Sequence, residues 1–275
     1  MQSHYISAWM PLLVCASLLG CTTFRKGRGY SIQNDLVYKT ADGIELKGTL
    51  YLPDGPELKP AVIVVHGGGW TRKSGDLSGV SRELAEAGYA VFSPSYRLAP
   101  ANRFPKAADD VRDAVNWLKA NAAKYGIDPA RLAGWGYSAG ANLILLVGLD
   151  PQLGLKAIVS GGTPADLTVW PKSPLVKGFI GHSLTDRPDL WREASPINHV
   201  DAKSPPVFLY HGKGDMIVEF GQMERMRSAL AKQNRIVETY AAPRAGHITT
   251  YFFNQTSVDL GVAFLNRYVQ PVSGK

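Results

Sequence analysis

The residues Gly136-Tyr137-Ser138-Ala139-Gly140 form the chain's single Gly-x-Ser-x-Gly. A serine between two such glycines can sit on a sharp strand-to-helix turn, with its hydroxyl exposed and aimed at a helix N-terminus. The chemistry this suggests is nucleophilic attack on a carbonyl. A second glycine run, His66-Gly67-Gly68-Gly69-Trp70, follows a β-branched stretch. Amides of Gly67, Gly68 and Gly69, together with that of Ala139, could approach a substrate carbonyl unobstructed and stabilise an oxyanion. His66 is expected to brace this loop by hydrogen bonding.

A serine nucleophile needs a base, and the chain holds six histidines. His4 lies in the N-terminal segment before the apolar run, His66 and His211 sit in glycine loops, and His182 and His199 fall in a stretch without regular pattern. His247, in Ala245-Gly246-His247, follows the last expected strand and precedes the last helix, where it can reach the nucleophile. The acid that orients it is expected at the end of His211-Gly212-Lys213-Gly214-Asp215. An ordinary turn aspartate would look the same. Glu219 is the runner-up, already on the next helix.

These groups need a scaffold. Leu36–Lys39 and Ile44–Leu52 alternate around Asp42-Gly43, a hairpin signal. Ala61–Val65 is a continuous apolar run suited to a strand buried on both faces. Strands at Tyr89–Pro94, Arg131–Gly136, Leu155–Ser160, Pro205–Tyr210 and Ile236–Tyr240 then alternate with helices. Those helices are expected at Leu77–Ala87, Pro105–Lys124, Ala139–Leu149, Val218–Gln233 and Tyr251–Tyr268. Strand–helix alternation predicts one α/β domain over residues 35–270, with a mostly parallel sheet and helices on both faces. Residues 163–203, rich in Pro and Trp, would form a small lid inserted over one edge. Trp70, Tyr137, Trp170, Phe179 and Trp191 are candidate pocket walls.

Composition narrows the classes. The 275 residues are 45% hydrophobic and 19% charged, which excludes disorder, collagen and coiled coil. Both cysteines, Cys15 and Cys21, lie at the N-terminus, so the body offers no thiolate metal site and no cysteine nucleophile. No metal or organic cofactor is implied. The net charge of +7 is scattered, with no basic run interleaved with aromatics, so nucleic acid is not an expected partner.

The order Ser138, Asp215, His247 matches that of the α/β-hydrolase superfamily, and the sequence resembles its carboxylesterase branch. That branch holds bacterial acetyl and feruloyl esterases and hormone-sensitive-lipase-like enzymes. The likeness runs from about residue 35 to 268. Beyond the groups above it rests on Gly75-Asp76, Ser95-Tyr96-Arg97-Leu98-Ala99-Pro100, Phe104-Pro105 leading to Asp110, Gly126-Ile127-Asp128-Pro129, and Ser195-Pro196. It implies an α/β-hydrolase fold and a serine hydrolase acting on a small-molecule ester through an acyl-enzyme. Short acyl esters come first, including acetyl groups on carbohydrate. Gly-Tyr-Ser-Ala-Gly-Ala also resembles arylformamidases, so a formamide or small amide is the alternative substrate. A catalytically silent surface lipoprotein that binds a partner is a further alternative. No oligomeric state is implied.

Ile6–Gly20 is almost wholly apolar, and shorter than the ~20 residues a membrane-spanning helix needs. It suits the h-region of a signal peptide over residues 1–20. Leu18-Leu19-Gly20-Cys21 resembles a bacterial lipobox, in which Cys21 would be lipidated and anchor the chain in a membrane. Leu19 and the lack of Lys or Arg before the apolar run depart from that pattern. A plain signal peptide, giving a secreted soluble protein, is the alternative. Thr22 after the cysteine favours the outer membrane of a Gram-negative cell, and residues 21–34 read as a flexible tether.

Overall fold

The computed structural model describes residues 28–74, 77–253 and 255–269. The expected signal peptide, the Cys21 anchor, the tether up to residue 27 and the Gly75-Asp76 pair lie outside the described residues.

Eight strands form one sheet in the order β1-β2-β4-β3-β5-β6-β7-β8. They are β1 (Tyr30–Ala41), β2 (Ile44–Pro53), β3 (Lys59–Val65), β4 (Ala90–Pro94), β5 (Ile127–Tyr137), β6 (Ile158–Gly161), β7 (Val207–Gly212) and β8 (Val237–Ala242). The hairpin β1–β2 and the pair β2–β4 are antiparallel. The other pairs are parallel. The fold expected from strand–helix alternation is therefore present. β1 extends further toward the N-terminus than expected, and residues 30–33, within the stretch 21–34 read as tether, pair with β2.

The helices are α1 (Ser78–Glu86), α2 (Lys106–Ala120), α3 (Ala122–Tyr125), α4 (Ala139–Gly148), α5 (Pro174–Ile180), α6 (Pro188–Glu193), α7 (Gly221–Lys232), α8 (His247–Phe253) and α9 (Gln255–Tyr268). Every residue of β3 is buried, because helices cover both of its faces. Ile63 and Val65 belong to one core cluster with Val111 of α2, Leu143 of α4 and Met226 of α7. Val62 and Val64 face the other way, toward Leu84 of α1 and Phe264 of α9. The stretch expected as one helix over residues 105–124 is α2 and α3, separated at Asn121. The last helix begins four residues earlier than expected, at His247, and is likewise two helices, α8 and α9.

Between β6 and β7 the insertion contains no strand among its described residues but does contain α5 and α6. Each begins with proline in its first turn, where the missing amide costs nothing. Phe179 and Trp191 bury their rings in the main core. Asn142 of α4 stitches the insertion down, donating to the carbonyls of Pro164 (3.1 Å) and Ala194 (3.0 Å).

Candidate active site

The strand order places the ends of β3, β5, β6 and β7 side by side, and the loops leaving those ends carry the candidate residues. Ser138 directly follows β5 and has φ 56° and ψ −124°, a region that side chains rarely occupy. Its amide donates to Gly161 O (2.8 Å) and its carbonyl accepts from Asn142 N (3.1 Å), which holds the turn in place. The two flanking glycines are steric requirements. A Cβ on Gly136 would lie 2.4 Å from Gly140 O, and one on Gly140 would lie 2.1 Å from Val65 O. The motif thus lets helix α4 pack directly on the sheet, with Ala139 at its positive end.

Gly67 lies against the serine, where an added Cβ would be 3.4 Å from Ser138 Cβ. The loop turns back at Gly68 and Gly69, both with positive φ. Gly68 O accepts from Thr71 N (3.2 Å), while the amides of Gly68, Gly69 and Ala139 donate to no described residue. His66 braces the loop as expected. Its Nδ1 donates to Gly67 O (2.7 Å), and its ring stacks on Tyr96 at 4.2 Å.

His247 Nδ1 donates to Asp215 Oδ2 at 2.7 Å. A carboxylate can only accept here, so Nδ1 carries the proton and Nε2 is left as the basic nitrogen. Asp215 Oδ1 accepts from the amides of Ile217 (2.9 Å) and Val218 (2.8 Å). Burial raises the carboxyl's proton affinity, but hydrogen bonds from His211, His247 and the Val218 amide outweigh it and hold the group well below the usual carboxylate range. Glu219, the runner-up acid, instead accepts from Trp170 Nε1 at 3.3 Å.

Ser138, His247, Gly67, Gly68, Gly69 and Ala139 all line one cavity of about 490 Å³. Trp70, Tyr137 and Trp170 line it too, as expected. Trp70 has positive φ and stacks on Phe179 at 4.5 Å. Tyr137 donates its hydroxyl to His247 O (2.6 Å). Two expected wall residues do not line this cavity. Trp191 is wholly buried beneath the insertion and donates from Nε1 to His182 O (3.1 Å), and Phe179 is buried behind Trp70. Both are core residues because α5 and α6 turn their aromatic faces inward.

Several site residues were not evident from the sequence. Gly162, φ 53°, passes beneath the histidine, and a Cβ there would be 3.0 Å from His247 Cε1. A glycine after a strand was the available signal. His211 is fully buried, with Nε2 2.7 Å from Val218 O and 3.3 Å from Asp215 Oδ2. Nε2 must donate to that carbonyl, so His211 secures the loop that carries the acid. Ile217, Val218, Ile248, Tyr251 and Phe252 supply much of the apolar wall. Among the described residues no cluster of side chains could hold a metal ion.

The BD-FAE family model matches residues 49–230. The chain belongs to the BD-FAE family. This BD-FAE chain is 32% identical over 214 residues to Esterase LipC of Mycobacterium tuberculosis, covering 68% of this chain and 52% of that protein. It is 42% identical over 119 residues to an ethyl acetate hydrolase of Pseudomonas putida, covering 42% of this chain and 37% of that protein. The chain spans about half or less of these curated relatives. Its fold superimposes on a truncated carbohydrate esterase from gut microbiota with a TM-score of 0.77 and 23% identity, covering 88% of this chain and 99% of that one. The fold of this BD-FAE member is that of the α/β-hydrolases.

Proposed function

We propose that this chain hydrolyses carboxylic esters through an acyl-enzyme on Ser138. His247 Nε2 takes the serine proton as Oγ bonds to the ester carbonyl carbon. Asp215 keeps the imidazole in the reactive tautomer and stabilises the imidazolium. The carbonyl oxygen gains its negative charge against the amides of Gly68, Gly69 and Ala139, where one lost donor typically costs about 3 kcal/mol. The carbon–oxygen bond to the alcohol then breaks, and Nε2 returns its proton to the departing oxygen. Water, deprotonated by the same nitrogen, releases the acid and regenerates Ser138.

The observation that carries this reading is the 2.7 Å bond from His247 to Asp215, beside a cavity that His247 shares with a strained serine and with amides that donate to no described residue. A short acyl group is supported by the likeness to an ethyl acetate hydrolase. It also fits Leu175, whose side chain abuts the oxyanion loop 3.0 Å from where a Cβ on Gly69 would be. Purified protein should cleave acetyl and propionyl esters, and Ser138→Ala should abolish turnover while remaining folded. Undiminished hydrolysis in that variant would overturn the mechanism. Faster cleavage of N-formylkynurenine than of any ester would assign the site to formamides instead. Export and lipidation at Cys21 are proposed from the sequence alone. The mass of the mature N-terminus tests them, and an unmodified cysteine would refute the anchor.

A further inference from the structure

We infer that the alcohol portion of the ester is apolar, carried on a collar formed by the acid loop and helix α8. This rests on the ester-hydrolase reading above. Proton return fixes which side of the cavity receives the alcohol, because its oxygen must lie beside His247 Nε2. Ile248 directly follows the histidine in the chain, Ile217 and Val218 follow the acid, and all three share the cavity with His247. Phe252 stands one turn beyond Ile248 on the same face of α8. All four line the cavity.

These side chains do not merely fill a core. Ile217 is 61% exposed, Ile248 54% and Phe252 63%, and neighbouring Met216 is 97% exposed. Ile217, Ile248 and Phe252 thus present one exposed apolar patch along the lining of a single cavity, whereas single exposed apolar residues are ordinary. The patch is continuous with the catalytic cavity, so its occupant is the part of the substrate that leaves the cavity on that side. A sugar alcohol would need hydroxyl partners there. On this wall the Tyr251 hydroxyl accepts the Leu77 amide at 3.0 Å. Among the described residues lining the cavity, Arg72 and the hydroxyl residues Thr71, Ser74 and Ser173 belong to the oxyanion loop and the start of α5, away from the collar. An alkyl or aryl alcohol meets the collar without leaving a polar group unpaired.

The test compares acetate esters of ethanol, butanol and hexanol with an acetylated methyl xyloside, using the full chain below each ester's solubility limit. Complete burial of a methylene raises kcat/KM roughly fourfold, and an open rim gives about twofold. Hexyl acetate should therefore exceed ethyl acetate by on the order of tenfold. In the Ile217→Gln/Ile248→Gln double variant the hexyl-to-ethyl ratio should fall about fivefold. Both positions are exposed, so an unchanged thermal midpoint is expected alongside. A flat alcohol series, a preference for the xyloside, or an unaltered ratio in the variant would overturn the inference and leave ester hydrolysis standing. A rate that rises only once the ester separates from water would assign the collar to a lipid surface, and a dimer that the double variant dissociates would assign it to a second copy. Either result overturns the inference. Failure to cleave every ester would overturn the functional reading as well.

Discussion

Gly162→Ala offers a sharp test, because the added methyl would push directly on the imidazole of the base. The new Cβ would lie 3.0 Å from His247 Cε1 and 2.9 Å from Tyr137 Cζ. Carbon atoms pack at about 3.5 Å or more, so the imidazole and the phenol must each yield by about 0.5 Å. Tyr137 is pinned by its bond to His247 O, so the imidazole takes much of the shift by turning about its Nδ1 bond to Asp215. A misplacement of 1 Å can cost about 100-fold in rate, so roughly half that distance predicts about a tenfold fall in kcat. The left-handed backbone adds about 1 kcal/mol of strain, worth about 3 °C in thermal midpoint for a domain of this size. Initial rates on a short acyl ester, normalised by active-site titration, separate misplacement from unfolding. A folded variant whose kcat stays within twofold of the parent would refute the proposed path from Gly162 through His247 to catalysis.

Other perturbations follow from the same contacts. His211→Leu removes the ring N–H shared between Val218 O and Asp215, so kcat/KM should fall about tenfold, the scale of one hydrogen bond to a charged group. His211→Gln can place a donor near the same point and should recover most of the loss; equal loss in both variants would contradict this role. Because Asp215 is held well below the usual carboxylate range, it stays charged through the range in which an ordinary carboxylate takes up its proton. The acid side of log kcat/KM should therefore fall with a slope of one down to about pH 4, and a slope of two there would show Asp215 titrating. Away from the site, wholly buried Asp110 accepts from Arg97 Nε (2.9 Å), Arg97 Nη2 (2.8 Å) and Lys39 Nζ (2.7 Å). Asp110→Ala leaves the guanidinium without its buried partner and should destabilise the fold by about 3–5 kcal/mol in urea unfolding. A loss below 1 kcal/mol would show that the network adds little.

The groups legible in the sequence are those whose constraint is local. The glycines at 136 and 140 are required by contacts with the same turn and the adjacent strand, so the motif reports its own geometry. The same holds for the buried run of β3 and the Asp42-Gly43 hairpin. Where position depends on packing from afar, the sequence was silent. Trp191 and Trp170 lie in one stretch of similar composition, yet one is core and the other cavity wall, which the docking of α6 decides. The expected strand begins at Leu36 rather than Tyr30 because the irregularity between Gln33 and Leu36 interrupts the alternation that marks a strand. Within the insertion, Ser173 Oγ accepts from Val176 N (3.4 Å) and caps α5. Such a short helix has no apolar period long enough to read. His211 and Gly162 gain their meaning only when β6 and β7 lie side by side.

The central claim is that Ser138 is activated by His247. Mass spectrometry of the folded protein after exposure to a fluorophosphonate tests it directly. The account predicts one adduct, on Ser138, forming rapidly in the parent and at least 100-fold more slowly in His247→Ala. An adduct on another residue, or labelling of Ser138 at the parent's rate in His247→Ala, would contradict it.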